Sequence, residues 1–171
     1  MEIIFSIAML IILIFSAILH EIAHGFVAER LGDPTARLMG RLTLNPKSHI
    51  DPFMSILLPL LLGVSGSPVV FGAAKPVPVD PFNLRDGRKD MALVSLAGPA
   101  TNILIAVVFA LLIKVFMIAS AQASLGIWGI IIYWVFLTTV KMNLLLAIFN
   151  LLPLPPLDGS KIFSLILPEK E

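Results

Sequence analysis

Polar and apolar positions alternate along most of this chain in long blocks. Residues 3–19 carry no charge, and after His20 and Glu21 the apolar character resumes to residue 28. At 1.5 Å per residue a helix over 3–28 reaches about 39 Å, enough to cross a bilayer with some tilt. Glu29, Arg30, Gly32, Asp33 and Pro34 close it with charge, glycine and proline. A second apolar run covers 91–119, with Gly98-Pro99 near its start and Lys114 near its end. A third covers 127–149, with Trp128, Tyr133 and Trp134 toward its start, where an interfacial aromatic belt would stand.

Between the first two runs the pattern changes. Residues 35–44 alternate loosely through Ala36, Leu38, Gly40, Leu42 and Leu44, which predicts a short strand or hairpin. Residues 52–63 are apolar but too short to span, so a re-entrant or interfacial segment is expected. Val77 to Val79 is extended because prolines flank and interrupt it at 76 and 78. After Asn150 the chain reads LLPLPPLDGSKI, and its prolines bar a regular helix. The expected fold is an all-α polytopic membrane protein with about three transmembrane helices, a re-entrant or interfacial segment and a small β element. Residues 1–171 form one membrane-embedded domain on this reading.

Composition agrees with a bilayer as solvent. Hydrophobic residues make up 58% of the 171 and charged residues 13%, about half the share usual in soluble domains. Glu2 and the lack of a basic residue before the first run argue against a cleaved signal peptide. The net charge of +1 gives no footprint for a nucleic-acid partner. There are no cysteines, so disulfides and thiolate ligands are excluded and a metal would rest on His, Asp or Glu.

Eight of the twelve Lys and Arg lie between residues 30 and 90, and the 119–126 linker has none. The positive-inside rule therefore places the 30–90 loop and the C-terminus in the cytoplasm of a cell-membrane protein, and the 119–126 linker outside.

The candidate chemistry begins at His20-Glu21-Ile22-Ala23-His24, an HExxH motif within a helical run. Positions four apart are about 40° apart around a helix, so both imidazoles face one metal. Glu21 is turned about 100° from His20 and reaches a water beside that metal. Ionisable groups at membrane depth are expensive and mark function. Zinc needs a third protein ligand and one open position. Asp158, in Leu157-Asp158-Gly159, is the sole carboxylate between Asp90 and Glu169 and follows the same end of the third span. Without the HExxH it would read as an ordinary Asp-Gly turn.

The HEIAH helix, the Asn150-to-Gly159 segment NLLPLPPLDG and the 97–102 stretch AGPATN together resemble the site-2 proteases, intramembrane zinc metalloproteases. The blocks from Gly32-Asp33-Pro34 to Asn45-Pro46, His49-Ile50-Asp51-Pro52 and Lys75-Pro76-Val77-Pro78-Val79 fit the same family, so the resemblance covers nearly the whole chain. It implies that His20, His24 and Asp158 bind one zinc ion, that Glu21 activates water and that Asn150 assists near the reacting carbonyl. The implied substrates are single-span membrane proteins, cut in or near the membrane. The likeness is to compact members without PDZ or CBS modules. Those usually continue into a further apolar span, so ending at Pro168-Glu-Lys-Glu171 leads us to expect a C-terminal truncation.

Other polar residues read more plainly. His49 fits a structural loop histidine, Asn102 an interhelical hydrogen bond, and Lys141 a snorkelling side chain. A metal transporter would spread ligands through several spans, whereas these cluster at one depth. A non-catalytic scaffold of this fold would be expected to lose Glu21.

Overall fold

The computed structural model describes residues 2–66, 75–120 and 126–165. Three long helices dominate: α1 (Glu2–Leu31), α4 (Gly87–Ser120) and α5 (Gly126–Asn150). Shorter α2 (Thr35–Leu38) and α3 (Leu58–Val64) lie between α1 and α4, and α6 (Asp158–Phe163) follows α5. α4 packs against α1, α5 and α6, and α1 also meets α5, so α4 is the central helix.

The bundle is apolar outside and polar at its seams. Ile3, Leu104, Ile130 and Ile148 are exposed, whereas Ser16, Ser95, Asn102, Thr139 and Asn143 are buried with Ala106 and Ala147. In water that arrangement would leave large apolar side chains hydrated. In a bilayer it is the expected one, because small and polar residues let helices approach and bond to each other. All three long helices are long and apolar enough to cross a membrane. The chain is a multi-pass integral membrane protein.

The expected β element is not there. Residues 35–38 form α2 instead, and no strand occurs among the described residues. Pro34 opens the turn, its carbonyl accepting from Leu38 N. Gly40, at φ +64°, closes it, and Arg41 N returns to the Ala36 carbonyl. A left-handed glycine after a short helix favours that closure over an extended chain. The alternation misled because it marks no common face: Ala36 is fully buried while Leu38 is 80% exposed. Residues 52–64 are helical, a π-helical turn (Pro52–Leu57) running into α3. The second span is unbroken at Gly98-Pro99, since α4 runs through Pro99. Most of the 119–126 linker and the chain end at 166–171 lie outside the described residues.

One buried carboxylate organises the connection leaving α1. Asp33 accepts hydrogen bonds from Thr35 N and Oγ1, from Asp80 N at 2.7 Å and from Asn83 Nδ2 at 3.0 Å. It thereby ties the start of α2 to the segment before α4.

Candidate metal centre

His20 and His24 stand one turn apart on α1, with Nε2 atoms 3.0 Å from each other. Asp158 Oδ2 lies 3.1 Å from His20 Nε2 and 3.2 Å from His24 Nε2. These three, brought together from α1 and the first turn of α6, are the group among the described residues that could hold a metal ion.

Two glycines make the convergence possible. A Cβ on Gly98 would stand 2.5 Å from ring atoms of both histidines, so α4 can lie under the imidazoles only without a side chain there. A Cβ on Gly159 would stand 2.3 Å from the Leu151 carbonyl oxygen. The chain after α5 folds back through Pro153, Pro155 and Pro156, and Gly159 lets the first turn of α6 close against it. That closure sets Asp158 beside α1.

The donor set fits zinc. His24 Nδ1 donates to the Val94 carbonyl at 2.7 Å, and His20 Nδ1 to Asn102 Oδ1 at 2.5 Å. A neutral imidazole that donates through Nδ1 presents a lone pair at Nε2. With both imidazoles neutral, two such nitrogens and a carboxylate oxygen face one point, an arrangement that a cation between them relieves. Tetrahedral zinc with bonds of about 2.0–2.1 Å spaces its ligand atoms about 3.3–3.4 Å apart, close to the spacing seen here.

Glu21 sits beside this triangle. Its Oε2 accepts from Val77 N at 2.8 Å, which fixes the carboxylate against the extended 75–79 segment. Arg41 Nη2 holds that segment through the carbonyls of Lys75, at 2.7 Å, and Pro76, at 3.1 Å. Glu21, Val77, Asn150, Pro156, Asp158 and both histidines line a cavity of about 300 Å³. Asn150 gives one amide hydrogen to the Leu146 carbonyl at 2.9 Å. All five residues singled out from the sequence thus border one space. The contacts of Val77, Arg41 and Val94 escaped sequence reading because each is made through backbone or upon backbone, which leaves no residue-type signal. His49 lies elsewhere in the contact pattern, with Nε2 donating to the Thr43 carbonyl at 2.8 Å.

Comparison with known proteins places the chain in a family. The sequence profile of Peptidase family M50 matches residues 8–171. The chain belongs to peptidase family M50. This is the site-2 protease family that the HEIAH and NLLPLPPLDG motifs resemble. This M50 chain is 41% identical to "Putative zinc metalloprotease YwhC" of Bacillus subtilis over 94% of its own length and 69% of that protein's. It is 35% identical to "Putative zinc metalloprotease Rip2" of Mycolicibacterium smegmatis over 84% of its length. "Putative zinc metalloprotease MJ0611" of Methanocaldococcus jannaschii is 34% identical over 56% of it. The chain spans about half the length of the latter two, 51% and 46%. No solved structure matches it.

Proposed function

We propose that this chain is a zinc metalloprotease that hydrolyses peptide bonds in or near the transmembrane segments of single-span membrane proteins. His20, His24 and Asp158 hold one zinc ion, and residues 1–171 supply the catalytic core. The observation that carries this reading is the Nε2–Nε2–Oδ2 triangle of 3.0–3.2 Å with Glu21 lining the same cavity.

Zinc, when bound, acts as a Lewis acid toward the scissile carbonyl and lowers the pKa of a water toward about 7. Glu21 takes the proton of the attacking water and delivers it to the leaving amine. Its bond to Val77 N keeps one oxygen occupied and orients the carboxylate while leaving the other for that transfer. The second amide hydrogen of Asn150 donates to the oxyanion as it forms. The cavity beside Pro76–Val79 admits an unwound stretch of substrate, as hydrolysis of a membrane helix requires. The clustering of basic residues in 30–90 supports a cytoplasmic orientation of the site.

Purified protein in lipid nanodiscs, given a model single-span substrate, should cut it. Chelation should stop cleavage and zinc should restore it. Intact substrate in the presence of zinc-loaded protein, across a panel of single-span segments, would sink the proposal.

A further inference from the structure

His20 does not reach a backbone carbonyl as His24 does. Its Nδ1 partner is the side-chain amide of Asn102, which could present either an oxygen or an NH2 group. An NH2 group there would require His20 to carry its hydrogen on Nε2 and would remove the lone pair facing Asp158. Something must fix the sense of that amide.

The structure supplies a relay that does so. Asn102 Nδ2 donates to Asn143 Oδ1 at 2.8 Å. Asn143 Nδ2 donates to the Thr139 carbonyl and to Ser16 Oγ, both at 2.9 Å. The Thr139 carbonyl is the anchor, since a backbone carbonyl only accepts. Read outward from it, Asn143 must present its oxygen to Asn102, and Asn102 its oxygen to His20. Asn102 and Asn143 are both 0% exposed, so neither water nor another partner substitutes. The direction follows from the connectivity, without observing hydrogens.

We propose that Asn102 and Asn143 are positioning residues that set the protonated nitrogen of His20 and thereby the zinc affinity of the site. The proposal rests on the ligand role of His20 stated above. A buried amide pair serving only as interhelical glue would stabilise the bundle equally with and without metal. A relay of this kind acts on the metal, and losing an outer hydrogen-bond partner of a ligating histidine weakens metal binding by about 10–100-fold. Asn143 touches no ligand, so an effect of its removal on zinc is the distinctive consequence.

Zinc affinity by chelator competition, and melting of the metal-free protein, should be measured on purified wild type, Asn102→Leu, Asn102→Asp, Asn143→Ala and His20→Ala. Asn102→Leu should bind zinc at least about tenfold more weakly. Asn102→Asp, whose carboxylate still accepts from His20 Nδ1 but no longer donates to Asn143, should weaken zinc clearly less than Asn102→Leu does. Asn143→Ala should weaken zinc several-fold. Wild-type affinity in Asn143→Ala overturns the relay, including where Asn102→Leu fails to fold. Equal weakening in Asn102→Asp and Asn102→Leu also overturns it. If His20→Ala binds zinc as tightly as wild type, the ligand reading itself falls; a weak His20→Ala beside an unaffected Asn102→Leu rejects the relay alone.

Discussion

The Glu21 carboxylate and the backbone N–H of Val77 meet at 2.8 Å, joining the first membrane helix to an extended segment 56 residues later. Arg41 holds that segment by two carbonyls, so it governs where Val77 N points. Arg41→Ala should lower hydrolysis about 10–100-fold, the usual cost of a small misplacement at a reacting centre. Zinc content should not change, because Arg41 touches no ligand. Elemental analysis and cleavage on one preparation test both halves, and loss of zinc would show that the segment supports the ligands as well.

Glu21→Gln keeps the size and the bond to Val77 N but removes the base. Hydrolysis should fall by 10²–10⁴-fold or more with zinc still bound. Full activity would remove the mechanism. Joint loss of zinc and activity would give Glu21 a structural role instead.

Gly98→Ala tests the approach of α4 to the imidazoles. A Cβ at 2.5 Å from His20 Nε2 and His24 Nε2 cannot be accommodated without moving one of them. Zinc affinity should drop at least about tenfold, as for other disturbed histidine ligands. Unchanged affinity by chelator competition would mean that the helices separate freely at this point.

Asp33 makes stability depend on acid. Burial pushes its carboxyl up, but hydrogen bonds from Thr35, Asp80 N and Asn83 outweigh this and hold it below the usual carboxylate range. A depressed carboxylate stabilises the fold above the unfolded pKa of about 3.9 and loses that contribution as pH falls toward its folded value. Asp33→Asn should cost about 1.5–3 kcal/mol at neutral pH, the range for bonds to a charged acceptor, and should flatten the acid side of the melting-temperature profile. Thermal melts of detergent-solubilised protein from pH 7 to 3 would show it; parallel profiles would not fit this account.

Topology can be read chemically, because the chain has no cysteine of its own. Single cysteines at Ser48 and Ser124 should label from opposite faces of sealed vesicles, Ser48 from the cytoplasmic one. Labelling from one face would refute the orientation.

The spans and the grouping of His20, His24 and Asp158 were legible in the sequence because each follows from residue type. An uncharged run reports a membrane helix, and HExxH four-residue spacing reports a helical face. The α2 turn was not, since its outcome hangs on Gly40 taking a left-handed φ against a weak alternation. The role of Gly98 was also hidden, because it depends on which helix lies across the imidazoles. Asn102 was read as making an interhelical hydrogen bond, and it does, to Asn143; its second bond, to His20, needed the bundle to be assembled.

His20 and Asp158 are 138 residues apart, on the first and last helices described. On the proposed ligand set, a ribosome delivers two imidazoles to the bilayer long before it delivers the carboxylate. An unfinished chain then offers zinc only a two-nitrogen hold, and capture waits for the completed bundle. The enzyme would be born inert, passing through the insertion machinery among other nascent membrane segments without the means to cut them.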